Sequence, residues 1–373
     1  SGLPARASSG QEEILHFVQE NAARFTAEEP MSIRTGIVGL QSVYWPNAFA
    51  SCLKSISDVE VAACADMGYD SDLIALSLGK TPSEYATQYG LRLYHDPVEM
   101  IQKEGLQAVC ICAKHTEIVN FVEQVAPMGV DIYIAKPMAT TMEAADRIVK
   151  AVRDNNLIAT SGTTERFDGG IREAYRHFKN GAIGELISIR ALHQHGNISG
   201  FPKADWYWDE AQGGPELSLI WYAGDVVRWF AGSEAVRVYA EYDNYLSENS
   251  PFMDNGKIVL RFENNVIGSI DIYFSVKGWR FPSYEVELIG TAGGIRTQQS
   301  VYEGMLFTKD GVTNFYRVQN NNLLDEMRNW VHCCINKTEP DLTIEDARRV
   351  IELCLACRQA AHTHTAVTLP LRK

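Results

Sequence analysis

From residue 33 to about residue 161, short and almost wholly apolar runs alternate with longer amphipathic ones. The apolar runs are IRTGIVGL, VEVAACAD, YGLRLYHD, AVCICA, DIYIAKP and LIATSGTT. Between them, apolar positions recur three or four residues apart. That spacing predicts helices over about 46–56 and 70–88, and in DPVEMIQKEG, TEIVNFVEQVAPMG and TTMEAADRIVKAVRDNN. A strand apolar at every position is covered on both faces. Strands of that kind separated by helices predict an α/β domain with a doubly wound, Rossmann-type parallel sheet.

Beyond about residue 186 longer strand patterns take over, in LISIRALHQH, AVRVYAEYD, GKIVLRFE, VIGSIDIYFS and YEVELIGT, with ENN and TAGG supplying turns. Strands that follow one another without helices predict an open, mostly antiparallel sheet. Two helices, LSLIWYAGDVVRWFAG and NNLLDEMRNWVHCCIN, flank it, and TIEDARRVIELCLACRQAAHT is a last one with Thr343 as N-cap. The second domain is therefore expected to be α+β. The boundaries expected are 31–155 for the first domain and 156–373 for the second. Residues 1–30 read as an appendage: a loop-like SGLPARASSG that suits an expression tag, then a helical EEILHFVQENAARF. A docked helix and an arm embracing a second subunit both fit it.

Bulk properties narrow the function. A length of 373 residues suits two domains. The formal net charge of -13 opposes binding to phosphate backbones, so no nucleic acid is expected as partner. No apolar run approaches the roughly 18 residues of a membrane span, and the start lacks the apolar core of a secretory signal. Eight cysteines lie scattered, several inside apolar runs, which predicts buried reduced thiols and a cytoplasmic protein. Neighbouring Cys333 and Cys334 point apart on a helix, and Cys354-x-x-Cys357 is likewise helical, so no metal site is expected.

The candidate chemistry begins at the end of the first strand. Gly39 is placed for the tight turn that admits a dinucleotide's pyrophosphate, but Gln41 and Tyr44 replace the next two glycines of the usual fingerprint. Asp66 ends the second strand, 27 residues after Gly39, where a carboxylate accepts from the adenosine ribose hydroxyls. Its charge repels a 2′-phosphate, so NAD is favoured over NADP.

Four motifs then occur in order. The run GVDIYIAKPMATTMEAADRIV holds Ala135-Lys136-Pro137, TTERFDGGIREAYRHFKNGAIGELISIRA holds Arg166-Phe167-Asp168 and then Gly181-Ala182-Ile183-Gly184, and WYWDEAQGGPELSLIWYAGDVVRWFAG carries a Gly-Gly segment before a helix. Together these resemble the glucose–fructose oxidoreductase / inositol dehydrogenase / rhizopine-catabolism (Gfo/Idh/MocA) family over residues from about 33 to 370. The resemblance implies a Rossmann domain, then an open-sheet domain that pairs subunits into homodimers or tetramers. It also implies NAD(P)-dependent hydride transfer at a sugar, polyol or glycoside hydroxyl. Lys136 inherits the role of the family lysine beside the nicotinamide and the reacting hydroxyl. His115, after the fourth strand, falls where the family places cofactor contacts, with a surface-loop histidine as the other reading; Lys114 beside it is placed to meet a cofactor phosphate or the substrate, and Arg166 resembles the family's substrate-side arginine.

The sequence departs from the family at several points. Ala135 stands where the family carries Glu. Ser218, Tyr222 and Asp225 stand where it commonly carries Asp, His and Asp. With the histidine gone, Tyr222 is the substitute proton acceptor, through a phenol made more acidic by Lys136. Asp225 remains on the substrate side. His193 and His195 lie on one strand and point the same way, making His193 a substrate contact and His195 a second candidate base. Trp208, in FPKADWYWDE, offers a ring for stacking on a sugar. The expectation is an NAD-dependent carbohydrate or polyol oxidoreductase. The alternative is a ligand-sensing or scaffold relative that has lost turnover.

Overall fold

The computed structural model describes residues 32–42, 44–196, 209–245, 252–276, 284–298, 303–316 and 320–371. The expected appendage over 1–30 and the candidate ring of Trp208 lie outside the described residues. The chain forms two compact units. One holds the chain up to Ala135 together with 146–160 and 327–344, and the other holds 136–145, 161–326 and 345–373. Where the sequence suggests one crossing near residue 155, the chain passes between units several times.

In the first unit a six-stranded sheet is built from β1 (Ile33–Val38), β2 (Val59–Ala65), β3 (Arg92–Tyr94), β4 (Ala108–Ile111), β5 (Asp131–Ile134) and β6 (Ala159–Ser161). Its order is β3-β2-β1-β4-β5-β6, and β1 pairs in parallel with both β2 and β4. The strand order reverses there, and at such a switch point the carboxyl ends of the strands leave a crevice. Strands β4 and β5 are buried along their whole length, as their uninterrupted apolar runs predict.

The helix expected over 70–88 is two helices, α2 (Ser71–Leu78) and α3 (Pro82–Tyr89), with α1 (Trp45–Lys54) preceding them. Gly79 takes the left-handed conformation at φ 77° and closes α2. Thr81 and Glu84 then form a reciprocal capping box that starts α3 at Pro82. Two caps within three residues outweigh the apolar period that runs through both helices. Helix α4 (Pro97–Glu104) follows β3, and α5 (Ile118–Val125) and α6 (Met142–Asp154) flank β5.

In the second unit, α7 (Gly169–Lys179) is capped by Asp168, whose side chain accepts from the Gly170 and Ile171 N–H groups. Helix α8 (Gly214–Ala231) and the nine-stranded sheet make up most of the rest. The strands are β7 (Leu186–Gly196), β8 (Ala235–Asp243), β9 (Asn255–Phe262), β10 (Ile267–Val276), β11 (Tyr284–Gly290), β12 (Gly293–Gln298), β13 (Glu303–Thr308), β14 (Gly311–Tyr316) and β15 (Val367–Thr368). Their order is β14-β13-β12-β11-β7-β10-β9-β8-β15. All registered pairs are antiparallel except β7 with β10, which is parallel. The ENN and TAGG turns close the β9–β10 and β11–β12 hairpins. The hairpin of β13 and β14 extends the sheet beyond the five strands that the apolar pattern picks out. Helices α9 (Asn322–Asn336) and α10 (Ile344–Thr363) close the fold. All eight cysteines are buried free thiols.

Candidate active site

The candidate residues fall into two groups, one in each unit. The first surrounds the carboxyl end of β1. Gly39 has φ +82°, and a Cβ there would lie 3.1 Å from the Ala113 backbone nitrogen and 2.9 Å from the Gln41 Oε1. Only glycine allows β1 to turn this close to the chain leaving β4. Gln41 replaces the second fingerprint glycine by folding inward. It is 3% exposed, yet neither its Oε1 nor its Nε2 has a hydrogen-bond partner. A buried amide without partners costs about 1–3 kcal/mol per group, and a ligand with donors and acceptors at this turn would recover that loss. Helix α1 begins just beyond, with Pro46 in its first turn and no side-chain hydrogen bond from its N-cap Tyr44. Its first N–H groups face the end at which helices attract phosphate.

At the end of β2, Asp66 is 4% exposed. Its Oδ1 accepts from the Gly68 N–H at 2.9 Å and meets the His95 Nδ1 at 2.8 Å. Both contacts fall on Oδ1, so Oδ2 remains to accept from a ribose hydroxyl. Lys114 holds its Nζ 5.5 Å from the Tyr69 ring centre, and the Tyr69 hydroxyl donates to Glu117. His115 is buried rather than a surface loop residue. The glycine turn, the orphaned Gln41 amide, the uncapped α1 and the Asp66 carboxylate together fit a dinucleotide.

The second group lies in the other unit. Lys136 places its Nζ 4.5 Å from the centre of the Tyr222 ring, an ammonium-to-face distance within the cation–π range. The Tyr222 ring stands 5.0 Å from the His193 ring, which in turn meets Tyr284 edge-on at 5.3 Å. These contacts follow from register. His193 on β7 is the direct partner of Tyr284 on β11, and Tyr222 projects from α8, which packs on β7. Tyr284 is 3% exposed and its hydroxyl has no hydrogen-bond partner. Burial pushes the Tyr284 phenol well above its ordinary range, with Glu165, Asp225 and Asp168 adding to the effect.

Burial draws the Lys136 ammonium down to about 8, against the opposing pull of Glu165. Burial likewise raises Glu165 to about 8, assisted by the neighbouring Glu326 carboxylate and resisted by its hydrogen bond from Thr164 at 3.1 Å and by Lys136. Glu326 accepts from the Thr163 N–H at 2.8 Å. A lysine and a carboxylate that feel each other's charge and both titrate near neutrality are suited to proton transfer.

Other expected residues occupy different places. Arg166 makes a two-pronged ion pair with Asp225, Nε to Oδ2 at 2.6 Å and Nη2 to Oδ1 at 2.5 Å, with both side chains buried. Each charge is taken up by the other, at odds with the substrate-side roles expected of both. Ser218 is buried on α8. His195 follows His193 on β7, but its side chain lies outside the described residues. Tyr222 presents its ring to the Lys136 ammonium, a seat for the cation beside the phenol expected as base. Glu165 and Tyr284 are absent from the sequence expectations. Glu165 sits in a short 3-10 turn, Thr164–Phe167, with no period to read. Tyr284 shows as an inward-facing strand residue, but nothing local pairs it with His193.

Comparison with known proteins bears on the family. Residues 33–163 match the model of an oxidoreductase family with an NAD-binding Rossmann fold, and residues 171–296 match that of the GFO/IDH/MocA C-terminal domain. Inositol 2-dehydrogenase 2 of Saccharopolyspora erythraea is 26% identical over 288 residues, 74% of this chain and 77% of its own. Myo-inositol 2-dehydrogenase of Thermotoga maritima is 21% identical over 348 residues, covering 90% of this chain and 98% of its own. A levoglucosan dehydrogenase solved with NADH and levoglucosan shares the fold, with a TM-score of 0.78 at 18% identity over 91% of this chain and 100% of that one.

Proposed function

The chain belongs to the Gfo/Idh/MocA family and is an NAD-dependent oxidoreductase of sugar or polyol CH–OH groups; we propose that Lys136 is the acid–base group at the reacting oxygen. The observation that carries this reading is the Lys136 amine, lowered to about 8 and seated on the Tyr222 ring. NAD supplies the hydride acceptor. The protein must manage the proton. As the alcohol carbon gives up hydride, its O–H proton passes to the neutral Lys136 amine, which becomes an ammonium. The Tyr222 ring face steadies that cation, and Glu165 is its neighbouring counter-charge. In the reverse direction the ammonium returns the proton to the forming alkoxide.

A cyclic polyol such as an inositol, or a pyranose of similar size, is the substrate class favoured by the named relatives. Tyr284 and His193 supply polar and aromatic groups for its hydroxyls and ring faces. The test is a screen of purified protein with NAD over inositols, aldoses and anhydrosugars, followed by absorbance of reduced nicotinamide. Turnover on a member of these classes, abolished by Lys136→Ala, is expected. Equal turnover by Lys136→Ala would sink the assignment.

The face of the nine-stranded sheet away from α8 supports a homodimer or tetramer. Ile267, Ile289, Phe307 and Val312 fall in one register row across it, joined through Ser188 and Gly294, with Val259 and Tyr239 as a second pair. These six side chains are 39–60% exposed. An apolar row rimmed by the Arg190–Asp271 and Arg190–Glu285 ion pairs suits a self-complementary interface. Light scattering should give a particle at least twice the 41.6 kDa chain. Among the described residues no helix is long and apolar enough to cross a membrane, and eight free thiols support a reducing, cytoplasmic setting.

A further inference from the structure

The His95–Asp66 contact lies at the position that separates the two nicotinamide cofactors, and it is not needed to build the sheet. Asp66 already receives the Gly68 N–H, and its backbone N–H already bonds to the Tyr94 carbonyl at 3.0 Å. His95 follows edge strand β3 and leaves 78% of its side chain exposed, yet sets its Nδ1 2.8 Å from the Asp66 Oδ1. An exposed imidazole bound to an almost buried carboxylate can change its own charge without leaving its place. We propose that His95 is a specificity-determining residue whose protonation sets how strongly Asp66 rejects the 2′-phosphate of NADP. The inference rests on the reading of Asp66 as the ribose acceptor.

The charge balance runs in one direction. With His95 neutral, the carboxylate faces an incoming 2′-phosphate uncompensated, and the repulsion protects NAD selectivity. With His95 protonated, the Asp66 charge is neutralised and a cation stands at the rim to meet the phosphate. Asp66 favours the charged imidazole, first by its hydrogen bond and then by its charge, so His95 titrates above an ordinary histidine. The other charged group facing it is Glu99, in the first turn of α4, which acts in the same sense but is itself paired with Lys103 at 2.5 Å. On the Asp66 side, Cys64 of β2 faces the carboxylate, and burial pushes that thiol up to about 12, so it stays neutral. Imidazole is the side chain whose ordinary charge change falls between about pH 5 and 8.

The test is calorimetric titration of the whole protein with NAD and, separately, NADP at pH 5.5, 7.0 and 8.5. It is run on the wild type, His95→Gln and His95→Lys. For the wild type, the ratio of NADP to NAD dissociation constants should fall on the order of fivefold from pH 8.5 to 5.5, the scale of one exposed ion pair. The 2′-phosphate takes up a proton in the same range, so His95→Gln measures that background and should show a clearly smaller change. His95→Lys should hold the low ratio even at pH 8.5. A His95→Gln ratio that follows the wild-type curve, or a His95→Lys ratio as high as the wild type at pH 8.5, overturns the inference while leaving NAD binding intact. Binding of neither cofactor at any pH would overturn the assignment of Asp66 itself.

Discussion

The carboxyl end of β1 and the Lys136 cluster solve opposite problems. At the first, the backbone does the work: a positive-φ glycine, an uncapped helix and a carboxylate at a strand end. At the second, side chains from β7, β11, α8 and two loops converge, and burial tunes their protonation. The binding end has drifted at two fingerprint positions, Gln41 and Tyr44, and the Gln41 amide folds inward without a hydrogen-bond partner. The chemical end carries Tyr222 where the family resemblance puts a histidine, and the Glu165 carboxylate acts on the lysine. A backbone site tolerates drift because its donors do not depend on side-chain identity, whereas a side-chain site must replace what it loses.

The largest effect should come from the cluster. Lys136→Ala should lower turnover by on the order of 10²–10⁴-fold, the usual loss for a positioned acid or base. Calorimetry should find NAD affinity within about twofold of the wild type, because a missing proton carrier need not disturb cofactor binding. Equal losses in both quantities would mean that Lys136 is part of the binding end and would erase the contrast between the regions.

Next comes a structural effect that separates Arg166 from the chemistry. Arg166→Met leaves Asp225 buried and unpaired, and breaking such a pair typically costs about 3–5 kcal/mol. Urea unfolding should show that loss. A variant of unchanged stability but raised KM would instead restore Arg166 to the substrate.

The smallest effect divides the two readings of Tyr222. If the ring face seats the ammonium, Tyr222→Phe should keep turnover within about twofold, while Tyr222→Ala should lose about tenfold with the cation–π contact. A collapse in Tyr222→Phe equal to that of Lys136→Ala would make the phenol the base after all.

The same contrast explains what the sequence reveals. Gly39, Asp66 and the strand–turn–helix around them are local, and spacing alone places them. Lys136 is legible through the motif that holds it. The split of the 70–88 helix is visible in principle, since Gly79, Thr81, Pro82 and Glu84 spell a stop and a start, but the apolar period masks it. Tyr284 joins His193 only through the β7–β11 register, and the Arg166–Asp225 pair only through packing of the turn before α7 against α8. Residues 59 positions apart that satisfy one another leave no trace in local pattern, so both look like free functional charges in the sequence.

The most direct test of the acid–base assignment is the pH dependence of kcat/KM for alcohol oxidation in the wild type and in Glu165→Gln. Oxidation needs the neutral amine, so the rate should rise with pH and level off above about 8, where burial has placed Lys136. The Glu165 carboxylate holds the lysine proton on, so its removal should move that limb to lower pH while the plateau remains. A limb that stays in place in Glu165→Gln, or a wild-type rate flat across pH 6–9, would contradict the account.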